Sequence, residues 1–192
     1  MRSPDRREQI LDITHAIVDA EGFHAATVSR IAAEAGVTRP VVYQQFGDLT
    51  GLFLALVDRE ADRAYRQFED VVARAGEDVI VDTFAGILAA ADAHPATWRL
   101  FLVPPQGAPP ELHEHLAAAQ ALVRAYIQEM LLGIAPDLPD PEYTARILNA
   151  AGDELVRLRL ANPEEATTER LLAHARGLTL ALSATRGSVG AP

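Results

Sequence analysis

The stretch TVSRIAAEAGVTRPVVYQQFGDLTGLF, residues 27–53, constrains this chain more than any other part of it. It reads as a short helix, a glycine turn, a second short helix and the start of a third. Ile31, Ala32, Ala35 and Val37 put small and apolar residues where two helices cross closely, and Gly36 stands where the chain must turn. Two helices joined in this way make a helix-turn-helix, whose second helix fits the major groove of DNA. DNA binding is therefore the leading functional reading.

The surrounding signals are helical throughout. Ser3-Pro4 predicts an N-cap followed by proline at the first helical position. Ile10, Ile13, Ile17 and Ala20, with Leu11, Thr14 and Val18, then line one apolar face that ends at Gly22, with Phe23 folding back. Thr27 and Thr38 are placed to cap helices over about 28–35 and 39–46. Pro40 falls in the first turn of the second of these, where its missing N–H costs little. Asp48 is placed to cap a long helix through about residue 73. Further helices are expected near 77–93, 95–102, 111–134, 141–161 and 164–185, separated by proline-rich breaks. The PPQGAPP stretch at 104–110 reads as a mobile loop and the tail after Thr185 as frayed. The predicted fold is all-α: a three-helix head and a larger helical body. The domain division is 1–50 for the DNA-binding head and 51–192 for ligand binding and dimerisation, linked by the helix at about 48–74.

Composition narrows the function classes. The chain of 192 residues contains no cysteine, which excludes disulfides and thiolate chemistry. No apolar run approaches the ~20 residues of a membrane span, and the N-terminus shows no signal-peptide pattern, so a cytoplasmic protein with no membrane partner is expected. The net charge is −10, yet residues 1–50 account for only −2 of it, so the acidity lies away from the head. All 17 basic residues are arginine, the side chain that binds phosphate in bidentate fashion. No nucleophile–base pair, metal cluster or phosphate-binding glycine loop is present, so neither catalysis, a cofactor nor a metal is expected. His113 and His115 lie beside Glu111 and Glu114, but positions i and i+2 diverge on a helix and do not make a metal site.

At Thr27, Ile31-Ala32, Ala35-Gly36-Val37, Thr38, Val42-Tyr43, Phe46 and Leu52 the chain resembles the TetR family of transcriptional regulators. The resemblance covers roughly residues 5–55; the body matches it in helix number and length alone. It implies a homodimer on double-stranded DNA at a palindromic operator, released by an unknown small-molecule effector, with repression as the prevailing mode. Gln45 stands where members often have His, and Leu49 where many have a phosphate-contacting Lys. Loss of that Lys predicts a salt dependence shallower by about one unit than in a Lys-bearing relative.

The candidate DNA-binding residues are Thr27, Thr38, Arg39, Pro40, Val41, Tyr43, Gln44 and Gln45. Arg39 begins the reading helix, and Arg to guanine is the commonest specific pairing. The resemblance assigns a phosphate to the Tyr43 hydroxyl. Thr27 and Thr38 cap helices whose N-termini are themselves anion sites. Gln44 and Gln45 are placed for adenine or phosphate, and Pro40 and Val41 for a thymine methyl. Arg6 and Arg7 are candidates for flanking backbone contact. Val42, Ile31 and Phe46 read as core.

In the body, Phe68, Phe84, His94, Trp98, Phe101 and Tyr126 are the candidate ligand-lining residues, since such sites are apolar with few polar groups. Each has core packing as its competing role. Asp153-Glu154 is expected to pair with Arg157. Ile147, Leu148, Leu155, Leu158 and Leu160, with Leu171, Leu172, Ala175, Leu178, Thr179 and Leu182, form two apolar stripes. The resemblance assigns these stripes to a four-helix dimer interface. The alternative function is a helical interaction module whose helix-turn-helix no longer binds DNA.

Overall fold

The chain is built of helices alone among its described residues. The computed structural model describes residues 3–74, 76, 78–103, 105 and 107–188, with backbone only at 3–4 and 181–188. The helices are α1 (Ser3–Glu21), α2 (Val28–Glu34), α3 (Arg39–Phe46), α4 (Leu49–Arg74), α5 (Val79–Ala93), α6 (Pro95–Leu102), α7 (Pro110–Ile134), α8 (Pro141–Ala161) and α9 (Thr168–Ser188). A 3-10 turn, Phe23–Ala25, comes after α1. No single described helix is long and apolar enough to cross a membrane.

The helix ends obey the chemistry of their caps. Gly22, Gly36 and Gly47 take φ values of +86°, +62° and +81°. A side-chain-bearing residue in that left-handed region costs about 1–2 kcal/mol. Asp48 caps α4 by accepting the Gly51 N–H at 2.7 Å. Asp78 and Asp140 do the same for α5 and α8.

Both expected boundaries of the last helix differ. The last helix starts at Thr168 rather than 164, because the Ala166 N–H closes a turn onto the Asn162 carbonyl and Thr167 caps through its hydroxyl. It also continues past Thr185 to Ser188; residues 189–192 lie outside the described ones. Of the stretch expected to be a mobile loop, residues 104 and 106 lie outside the described ones, Ala108 packs on the adjacent core and Gly107 abuts His24.

The chain divides into two compact units that do not respect sequence order. The first is Met1–Ala64 with Ala96–Ala119. Its core joins Ile10, Leu11 and Ile17 of α1 and Ile31 and Val42 of the helix-turn-helix to Leu52, Leu56 and Val57 of α4. Leu100 of α6 and Leu112 and Leu116 of α7 complete it. Ala20, expected on the inner face of α1, is exposed. Each fully buried aliphatic side chain contributes about 1.5–3 kcal/mol.

The second unit is Tyr65–Pro95 with Gln120–Pro192. Here Val81, Phe84, Leu88 and Ala91 of α5 are buried, as are Ala145 and Val156 of α8 and Leu171 and Ala175 of α9. Gly86 lets α5 lie directly on α4, for a Cβ there would stand 2.4 Å from Val71. Arg159 binds both carboxylate oxygens of Asp92, at 2.8 and 3.0 Å, and also the Pro163 and Ala166 carbonyls. One guanidinium thereby fixes α8 to α5 and shapes the turn before α9.

Arg157 pairs with Glu154, as expected of that acidic pair. Asp153 turns inward instead and accepts a hydrogen bond from Asn149 at 3.1 Å. Burial pushes its carboxyl above the usual value, against the opposing pull of Arg157, Asn149 and Arg124. A raised folded-state pKa means the ionised form is disfavoured by folding at neutral pH and the penalty disappears once acid protonates the group in both states. Asp153→Asn is therefore expected to raise the melting temperature at neutral pH. The gain should vanish in melts recorded below the carboxylate range.

Candidate nucleic-acid interface

Helix α3 presents one polar face. Arg39, Pro40, Tyr43 and Gln44 share a side of α3 at helical spacing, and all four are exposed. Val42, on the opposite side, is 1% exposed and holds the helix to the core. Among the described residues Arg39, Tyr43 and Gln44 have no side-chain partner, which leaves their polar groups to solvent or ligand. Val41 and Gln45 are half-buried on the flanks.

The two threonines separate in role. Thr27 caps α2, its hydroxyl accepting the Arg30 N–H at 3.3 Å. Thr38 occupies the N-cap position of α3 with extended backbone, but its side chain makes no capping hydrogen bond, contrary to expectation. Pro40 removes one of the N–H groups at the helix start, and the exposed Thr38 hydroxyl is left uncommitted.

The supports of α3 are side chains that sequence reasoning assigned elsewhere or passed over. Arg7, a candidate for flanking DNA contact, lies over the Phe46 ring at 4.4 Å and donates to the Gln45 carbonyl at 2.8 Å. It ties α1 to the C-terminal end of α3, where a cation also meets the negative end of the helix. Gly51 lets α4 approach the same end: a Cβ there would stand 2.2 Å from the Phe46 carbonyl oxygen. Arg30 is held by Glu21 and Glu34 at 2.6 and 2.8 Å.

Residues 10–56 match the model of the N-terminal region of the tetR family of bacterial regulatory proteins. The family likeness is thus confined to the N-terminal head. The transcriptional activator FasR of Mycolicibacterium smegmatis is 40% identical over 58 residues, which cover 30% of this chain and 26% of that protein. The chain thus spans about a quarter of the length of this curated relative. A transcriptional regulator from Pseudomonas aeruginosa PAO1 has a solved structure with TM-score 0.78 at 21% identity, covering 96% of this chain and 93% of the other. A solved SmeT–triclosan complex gives TM-score 0.72 at 23% identity, covering 92% and 90%. These likenesses extend the shared fold over the whole chain.

Beneath the tetR-family head lies a fully buried carboxylate. Glu60 continues the inner row of α4 after Leu52, Leu56 and Val57, and it is 0% exposed. Thr97 of α6 donates to Glu60 Oε2 at 2.5 Å. Arg59 and Arg63 donate to Oε1 at 3.0 and 2.8 Å, and His15 Nδ1 of α1 stands 3.6 Å from it. Arg59 also reaches Asp12 and Glu8 of α1, at 2.8 and 3.2 Å. Arg99 of α6 grips Asp19 of α1 with two bonds of 2.6 and 2.8 Å. His115 of α7 meets Asp58 of α4 at 2.6 Å. Burial alone pushes the Glu60 carboxyl up, but the Thr97 hydrogen bond and the charges of His15, Arg59 and Arg63 hold it below the usual value. The signal available in the sequence was a lone glutamate in an apolar row.

The six ligand-lining candidates divide between the two units. Phe68 and Tyr126 form an edge-on pair at 4.8 Å in the second unit, and Phe84 is buried in the core of that unit. His94 lines a cavity of about 340 Å³ beside Gln67 and Ala90. Trp98 and Phe101 belong to the first unit, where Phe101 packs against the head core and the Trp98 Nε1 is buried without a hydrogen-bond partner.

Thr97→Val should destabilise the chain by about 1–3 kcal/mol in urea unfolding, as expected for loss of a hydrogen bond to a buried charge. A depressed Glu60 pKa contributes stability that is full above the unfolded value and lost as pH falls through the lower folded value. The melting temperature of the unmodified chain should therefore fall on acidification through and below the usual glutamate range. The slope should be shallower in Glu60→Gln.

Proposed function

We propose that this chain is a dimeric, sequence-specific DNA-binding transcriptional regulator. It occupies a palindromic operator as a repressor and is released by a small-molecule effector. The observation that carries this reading is the exposed face of Arg39, Tyr43 and Gln44 on a rigidly seated α3, within a tetR-family head. The eight candidate contacts divide by exposure. Arg39, Pro40, Tyr43 and Gln44 read; Thr27 and Thr38 approach phosphates at helix starts; Val41 and Gln45 touch the groove from the flanks.

Dimerisation supplies the second head, with half-sites about one helical turn (~34 Å) apart. The support is an apolar stripe left exposed on α8: Tyr143 at 64%, Ile147 at 56% and Leu158 at 47%. On α9, Leu178 and Leu180 are exposed too. Such a patch marks an interaction surface. Leu171 and Ala175 instead serve the core of their own unit, and the Leu182 side chain lies outside the described residues. On this reading the head of about residues 1–50 reads DNA, and residues 51–192 dimerise and take the effector. On this reading effector binding moves α4, the helix that links the head to the body. An effector acts to the extent that it prefers one head spacing over the other. The SmeT–triclosan complex is precedent for a small molecule bound to a chain of this fold. Operator binding places the protein in the cytoplasm. The acidic balance favours the competing interaction module, which predicts no operator at all.

Capture of genomic fragments on the purified chain at near-physiological salt, with sequencing of the captured DNA, should enrich one palindromic site. Arg39→Ala should weaken binding to that site by about tenfold, within the ~1–3 kcal/mol of a specific arginine contact. No enrichment by a folded dimer, or unchanged binding by both Arg39→Ala and Tyr43→Phe, contradicts the reading.

A further inference from the structure

We propose that the groove between α4 and α5 in the second unit binds a small amphiphilic cation, an apolar body bearing one ammonium group. Its role as the effector site rests on the regulator reading above; its ligand chemistry rests on the groove itself. The cavity measures about 340 Å³, at the lower end of the ~300–1,000 Å³ typical of ligand sites. One wall is the small-residue face of α5, where Gly86, Ala89, Ala90 and Ala93 succeed one another at helical spacing. Contact between Gly86 and Val71 brings the two helices together there. Such a wall admits an alkyl or aryl body and offers it no hydrogen bonds.

The polar groups of the groove are chiefly acceptors. Gln67 Oε1 is buried and has no hydrogen-bond partner. Leaving such an atom unfilled is unfavourable, and a ligand N–H donor satisfies it. Two carboxylates, Asp70 and Asp82, face one guanidinium, Arg74, with the His94 ring beside them. The Arg74–Asp70 pair is long, 3.9 Å, and both side chains are largely exposed, so it neutralises little. Asp82 Oδ2 accepts the Gly76 N–H at 2.8 Å and keeps its other oxygen available. An anionic ligand would meet two like charges and leave the Gln67 oxygen unfilled. A cation with N–H donors answers both.

The test is calorimetric titration of the full chain with phenylpropylammonium, using phenylpropanol and phenylpropanoate as neutral and anionic isosteres. The ammonium should bind at least ~10-fold tighter than the carboxylate, a difference of about 1.4 kcal/mol. Gln67→Leu, which removes the unfilled acceptor, should weaken the ammonium about tenfold. Ala90→Leu, which fills the groove, should abolish binding while leaving the helical circular dichroism unchanged. Equal or tighter binding of the carboxylate, no binding of any probe, or unchanged affinity in Gln67→Leu overturns the proposal. Ammonium binding by a chain that captures no operator would sustain the site and sink the regulator reading instead.

Discussion

A carboxylate with no solvent exposure is the constraint on which the first unit depends. Taking Glu60 out of water carries a penalty of several kcal/mol, which good geometry and a full set of donors must offset. Those donors are Thr97 on α6 and Arg59 and Arg63 on α4, and His15 of α1 stands 3.6 Å away. None of these helices can slide without stranding the charge. Arg59 extends the arrangement to Asp12 and Glu8, and Arg99 adds a bidentate pair to Asp19. Helix α6, distant in sequence from the head, is thereby part of it.

The placement of the reading helix depends on that arrangement. Once α1 and α4 are fixed against each other, α3 is held at its C-terminal end from both sides. Arg7 reaches it from α1, and Gly51 permits the close approach of α4. Val42 pins the inner face, and the opposite face is left to Arg39, Pro40, Tyr43 and Gln44. Preorganisation of this kind lowers the ordering cost of binding. It also means that whatever moves α4 or α6 is felt at α3.

The helix-turn-helix was readable because its demands are local. Gly36 must take a positive φ, Ala32 and Ala35 must be small, and Asp48 caps α4. Helix boundaries marked by proline, Asp or Gly were equally plain, whereas the start of α9 was misplaced because Thr167 caps it behind a less obvious turn. Contacts between distant segments were not readable. Nothing in periodicity says that Leu100 and Leu112 complete the head core, or that Thr97 finds Glu60. Arg7 looked like a solvated or phosphate-seeking arginine, since its partner is a backbone carbonyl that any residue provides. The aromatic residues expected to gather around one ligand divide between two units for the same reason: a stripe on a helix does not name the surface it meets.

The central claim is that α6 and the start of α7 fold as part of the head through Glu60. Native-state hydrogen exchange of the full chain, compared between the unmodified protein and Glu60→Gln, tests it most directly. The account predicts that protection in α1, α4 and α6 falls together in the variant, while α8 and α9 keep theirs. Loss of protection confined to α4, with α6 unchanged or exchanging in step with α8 and α9, would contradict it.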